Sequence, residues 1–374
     1  MLTLMASMNG PAYSPARAVA GRVHAHLSQQ LALAREHGEA GVAALPDQSA
    51  IETVIDAAFW ASLRREEGYT PRISLALVRP DDVERPLTFS PRVALAAEAL
   101  AKLAPAVERP GIHLGVAQYG TTLEVWGTTR TLPGLSFVLE VVAPGLLVVK
   151  YPHGITGKFV NVAVLEGDQA KVVDEGTALH GFEAPAAWGH SANVFVRLAV
   201  SMRAHGRGGS LLVVPAGTDR WRKSIVQPIR YSVAPPFAQI AELTRHEPAK
   251  RDGQHWQEAL TQAVDSIAGL TAVDGATVMN DQYEVLAFAV KIARFENNAR
   301  VQEVLISEPV EGMAASPIDL SQLGGTRHLS AAQFVHDQRD AFALVASQDG
   351  RFTIFKWAER EERVHAHRVE ALLL

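Results

Sequence analysis

The sequence predicts an α/β protein in two parts, an α+β N-terminal domain followed by a mixed-sheet α/β domain with flanking helices. Three observations carry that expectation. The chain has 374 residues, more than one ordinary hydrophobic core encloses. Short β-type runs split by Gly and Pro crowd the stretch from 71 to about 180, whereas beyond it helical and strand-like segments alternate. Hydrophobic residues make up 48% and charged residues 20%, the balance of a folded chain and not of a disordered one.

The elements follow in order. Val19, Val23, Leu27 and Leu31 recur at helical spacing, predicting a helix over 15–38 that closes at Gly38. "GEAGVAALPDQS" reads as a linker, after which Asp47 or Ser49 caps a second helix ending at Gly68. "PRISLALVRP" reads as a strand, and "SPRVALAAEALAKLAPAVE" as a helix with Ser90 as cap and Pro91 at its first position. The runs "IHLGVAQY", "TTLEVWG", "LSFVLEVV", "GLLVVKY" and "FVNVAVLEG" then predict an antiparallel meander or a small mixed sheet. Within them "KYPHGITGKF" gathers Lys150, His153 and Lys158, which suits an anion site or a solvated hairpin equally well.

"GFEAPAAWGH" (181–190) is the expected seam, dividing the chain into 1–48 (helix and linker), 49–185 (α+β domain) and 186–374 (α/β domain). Beyond the seam come a helix at "SANVFVRLAVSMRAHG", a buried strand at "SLLVVPAG", and a surface excursion over 232–255. A helix at "HWQEALTQAVDSIAGL" precedes "TAVDGATVMNDQYEVLAFAVKI", a strand pair turned at Asn280–Asp281. "GGTRHLSAAQF" opens a further helix, with Thr326 as its cap, and "AFALVAS" and "RFTIFKW" form a last hairpin across "QDG".

Composition narrows the function. A net charge of −5 argues against binding to DNA, RNA or an anionic membrane surface. The absence of cysteine excludes disulfides, thiolate zinc sites and thiol nucleophiles, and fits a reducing compartment. Neither a secretory signal nor an apolar span of membrane length is evident, so a cytoplasmic protein is expected.

Three polar islands interrupt the apolar texture of the second domain: Asp274–Gly275–Ala276, Gly325–Thr326–Arg327–His328, and Ser347–Gln348–Asp349–Gly350. A carboxylate inside a strand-like run is costly unless it is paired or bound to metal, and Gly275 beside it permits a close approach to the backbone. Asp274 is therefore a candidate ligand for Mg²⁺ or Mn²⁺. A helix N-terminus carrying an arginine and a histidine suits phosphate oxygens. The combination makes a minimal phosphoryl-transfer set. No Walker loop, no nucleophile elbow and no H-E-x-x-H motif is present.

The order "DGA" (274–276), "GGTRH" (324–328) and "VASQDG" before a terminal strand resembles the diadenylate cyclase (DAC) domain family over roughly 190–360. "RAHGRGGSLLVVPAG" (203–217) resembles the family's first helix-to-strand step, and the region before it resembles the DACNV probable sensor domains. The resemblance implies condensation of two ATP molecules into cyclic di-AMP and pyrophosphate, in face-to-face homodimers, under control of the N-terminal domain. It implies that Asp274 holds the metal and that Gly275 and Ala276 lie against the nucleotide. Gly325, Thr326, Arg327 and His328 would grip phosphates, and Ser347 would contact the triphosphate. Asp274, Arg327 and His328 are the candidate catalytic residues. Two departures stand out: the family's second arginine is Leu329, and its hairpin glutamate is Gln348, with the neighbouring Asp349 as a second candidate metal ligand in its place. These favour an alternative, a non-catalytic sensor that binds ATP or a cyclic dinucleotide.

Overall fold

Every third or fourth side chain of the first helix is buried: Val19, Val23, Leu27 and Leu31 lie along one face of α1 (Ser14–Glu36). The computed structural model describes residues 11–65, 68–153, 158–173, 194–245, 254–295 and 298–373. They fall into two units, 1–174 and 175–373. The expected seam at 181–190 lies outside the described residues.

In the first unit α1, α2 (Gln48–Ser62) and α3 (Ala97–Leu103) share a core with one face of an eight-stranded sheet. Its strands are β1 (Ile73–Leu77), β2 (Leu87–Ala94), β3 (His113–Tyr119), β4 (Thr122–Thr129), β5 (Val138–Ala143), β6 (Leu146–His153), β7 (Lys158–Glu166) and β8 (Gln169–Val172). They are ordered β2-β4-β3-β1-β5-β6-β7-β8. Only the β1–β3 pair is parallel, so the sheet is mixed. The helix expected from Ser90 is a correction: residues 87–94 form β2, and helix begins only at Ala97. Pro91 lies in an irregular stretch of β2 at the sheet edge, where a missing N–H costs no ladder bond. The second helix also stops early, at Ser62.

The second unit is a nine-stranded mixed sheet between helices. Its strands are β9 (Gly209–Val214), β10 (Ser232–Phe237), β11 (Ala276–Asn280), β12 (Val285–Val290), β13 (Glu303–Ser307), β14 (Ser316–Asp319), β15 (Phe342–Ala346), β16 (Phe352–Ala358) and β17 (Arg363–Arg368). The order is β10-β12-β11-β9-β15-β16-β17-β13-β14. Alternation in β9 sends Leu211 and Val213 to one core and Leu212 and Val214 to another, which explains its unbroken burial. The first core is closed by α4 (Val194–Ala204) and α6 (Gln254–Thr271), the second by α8 (Thr326–Asp337) through Ala331, Ala332, Phe334 and Val335. The expected excursion at 232–255 is partly ordered structure, the edge strand β10 and α5 (Gln239–Thr244).

Candidate functional site

Sheet order places the three polar islands together. β9 and β11 run parallel, and β12 and β15 run antiparallel beside them. The starts of the first pair and the ends of the second therefore meet at one edge of the sheet. An open cleft of about 480 Å³ lies there. Asp274, Gly275 and Ala276, Gly325, Thr326, Arg327 and His328, and Ser347 and Gln348 all line it, together with Lys291.

Asp274 does not sit inside a strand, as the sequence suggested. It occupies the bend between α6 and β11, and its side chain is 93% exposed. Its Oδ2 accepts a hydrogen bond from Lys291 Nζ at 2.7 Å. That bond, the Lys291 charge and a smaller contribution from Arg327 hold the carboxyl below its usual range. Gly275 has φ +125°, and a Cβ there would lie 2.6 Å from the carbonyl carbon of Ala289. The close approach that this glycine permits is thus made by the chain's own β12.

The helix start is built without a side-chain cap. Gly325, not Thr326, is the N-cap of α8; among the described residues no side chain caps it, and the N–H groups of His328 and Leu329 donate to Gly325 O. The short helix α7 (Leu320–Leu323), capped by Asp319, brings the chain to Gly324, against which the His328 ring packs. His328 is 4% exposed, its Nε2 lies 3.3 Å from Thr353 Oγ1, and its ring meets Phe355 edge-on. Burial, then the charges of Arg351, Arg368 and Arg327, push its pKa down against the pull of Asp349. The ring thus turns inward beside the cleft that it helps to line, and burial favours its neutral form.

Arg327 is half-buried and, among the described residues, makes no ion pair. Its Nη1 rests beside Gly208. Ser347 N–H donates to Arg351 O at 2.9 Å, and Gln348 Nε2 donates to Arg207 O at 3.3 Å. Asp349 does not line the cleft: its Oδ2 lies 3.4 Å from Arg351 Nε. Burial works against its ionisation, but bonds from Ser347 and from Arg351 N–H keep its carboxyl below the usual range. Leu329 is half-buried against the second core.

These donors do not fit a resident divalent ion. Among the described residues no three His, Asp or Glu side chains converge, and the one carboxylate lining the cleft is already paired with Lys291. Lys291 itself escaped the sequence reading, because it follows the apolar run "VLAFAV" as an ordinary polar strand end.

Residues 40–130 match the family described as probable sensor domain DACNV. This match lies within the first unit. No curated protein matches the chain. A crystal structure of a double mutant of DacA from Staphylococcus aureus is similar at 14% identity, covering 47% of this chain and 85% of its own, with a TM-score of 0.24. No helix among the described residues is long and apolar enough to cross a membrane.

The first unit has a smaller cleft of its own, about 180 Å³, with Leu77, Val116 and Leu123 among its apolar walls and Asp47, Arg79 and Asp82 among its polar ones. The anion loop considered at 150–159 is partly outside the described residues. What is described there ties Lys150 to Glu140 and lays its ammonium 4.7 Å from the Phe159 ring centre.

Proposed function

We propose that the second unit is a receptor for the phosphates of an adenine nucleotide, built on a diadenylate cyclase-like site and regulated by the DACNV segment. One observation carries this reading: Asp274 and Arg327, distant in the chain, line one cleft together with an uncapped helix start. An unpaired guanidinium beside free N–H groups is a seat for a phosphate anion. The "DGA" and "GTRH" signatures supply the adenine nucleotide as the class of ligand, either ATP or a cyclic dinucleotide.

A second reading is turnover: condensation of two ATP into cyclic di-AMP and pyrophosphate by two copies face to face, in the presence of Mg²⁺ or Mn²⁺. It is favoured by the ionised, exposed carboxylate of Asp274 on the same cleft as Arg327. Leu329 and Gln348 remove one cation and one carboxylate from that arrangement, which harms a transition state more than a ground state.

Calorimetric titration with ATP and cyclic di-AMP, beside chromatography of ATP incubated with Mn²⁺ or Mg²⁺, separates the two. The receptor reading expects nucleotide binding with no cyclic di-AMP. Product from the native chain that disappears in Asp274→Asn would establish the cyclase. Neither binding nor product would overturn both.

A further inference from the structure

We propose that Lys291, tethered by Asp274, is the second cation of the phosphate site and stands where a divalent ion would, so that nucleotide binds this cleft without metal. The inference rests on the phosphate-binding reading above and names the groups that do the work.

The ammonium lies 2.7 Å from Asp274 Oδ2 and keeps 56% of its side chain exposed, while Asp274 is 93% exposed. The pair is thus open to the cleft that both residues line. An ammonium has three donors, of which this bond uses one, leaving two for an anion. Arg327 lines the same cleft and acts on the Asp274 carboxyl electrostatically, so the two cations and the carboxylate share one field. The lining charge is two positive groups against one negative, which favours a polyphosphate and leaves little to attract a free dication.

The neighbouring wall agrees. Gln348 presents an amide bonded to Arg207 O, and Asp349 is paired with Arg351, so among the described residues no second carboxylate lines the cleft. Asp274 then acts as a positioning residue: it holds Lys291 in place instead of ligating metal. The two roles predict opposite signs for one substitution. If Asp274 carries metal, Asp274→Asn loses nucleotide. If it only tethers Lys291, that change removes a negative charge and leaves the ammonium in the cleft.

The test is titration of the full chain with ATP in EDTA and again with excess Mg²⁺, using the native protein, Lys291→Gln, Asp274→Asn and Arg327→Ala. All variants are checked first by circular dichroism melting. Native binding in EDTA is expected within about threefold of that in Mg²⁺, with Lys291→Gln about tenfold or more weaker in EDTA. Asp274→Asn is expected to bind in EDTA about threefold more tightly than the native chain, because its amide oxygen still accepts from Lys291 while the one negative charge on the cleft is gone. Binding that appears only with Mg²⁺ and vanishes in Asp274→Asn would overturn the role of Lys291 while leaving the phosphate site intact. So would Lys291→Gln binding like the native chain in EDTA while Arg327→Ala is weakened. No binding under either condition would overturn the phosphate reading, and this inference with it.

Discussion

Arg327 occupies the space that a side chain at Gly208 would need: a Cβ added there would stand 3.0 Å from Arg327 Nη1 and 3.2 Å from the Ala346 carbonyl oxygen. The glycine has φ +69°, a region that side chains with a Cβ enter only under strain. The bare backbone thus does two things at once. It turns the chain between α4 and β9, and it leaves room for the guanidinium that faces the cleft.

Gly208→Ala separates these effects. The positive φ is expected to cost about 1–2 kcal/mol of stability, read from the denaturant midpoint. The Arg327 tip is flexible and can yield, but yielding moves it from its place beside Gly208, so on the proposed phosphate reading ATP affinity falls about three- to tenfold. Unchanged affinity in the folded variant would show that the position of Arg327 at Gly208 is not part of the binding geometry.

Gly324 makes a different demand. Its φ of 169° is ordinary extended backbone, so no strain attaches to replacing it. A Cβ there would instead collide with the His328 ring, whose Cγ would be 2.7 Å away. That ring is buried and bonded to Thr353, and cannot swing out as a surface side chain would. Gly324→Ala is therefore expected to destabilise the chain by about 1–3 kcal/mol through overpacking. A melting temperature equal to that of the native protein would mean that the ring relaxes freely.

What was legible in the sequence follows from what each segment buries. β9, β11, β12, β15 and β16 are buried on both faces or on one, and their β-branched and aromatic runs stood out. The four edge strands, β2, β8, β10 and β14, were not read as strands. β2, β10 and β14 are largely exposed and carry prolines, which an edge tolerates, so neither alternation nor composition marks them. The "DGA" and "GTRH" islands were found because polar residues are conspicuous in an apolar context. The bend at Asp274 is not legible because Val273 extends the apolar run of β11, which starts at Ala276, back towards the end of α6 at Thr271. The burial of His328 had no local signal, since it depends on Gly324 and on Thr353 from another element.

Histidine burial in the second unit gives stability a pH dependence. Burial, followed by His365 and Lys356, pushes His367 down to about 3, and burial also lowers His365 and His328. His367 Nδ1 and His365 Nε2 both meet Ser307 Oγ, at 2.9 and 3.0 Å. A histidine whose folded pKa is depressed takes up its proton more readily when unfolded. Its contribution is complete above about pH 6.5 and is lost as pH falls below that, at about 1.4 kcal/mol per pH unit per group. For His367 the loss continues towards pH 3. The denaturant midpoint is expected to fall from pH 7.5 to 5.0, a range that precedes most carboxylate protonation, and His367→Asn should flatten the slope. Equal slopes for the two proteins would show that His367 titrates normally.

The hairpin residue Gln348 offers a test of how the cleft balances its charge. Its amide Nε2 donates to Arg207 O, a bond that a carboxylate cannot make, and its Cγ would lie 3.3 Å from a Cβ at Gly208, where Arg327 also rests. Gln348→Glu therefore sets an acceptor against a carbonyl and adds a negative charge near the guanidinium. If the site binds phosphate through Arg327 and Lys291 alone, ATP affinity in EDTA should drop by about tenfold, because the new carboxylate competes for the same cations. With Mg²⁺ present the drop should shrink, since two carboxylates and a triphosphate now suit a hard dication. Titrations of this variant in EDTA and in Mg²⁺ read that difference directly. An equal loss in both buffers would mean that the substitution disturbs the hairpin and not the charge balance, whereas no loss in either would place residue 348 outside the reach of the bound phosphates.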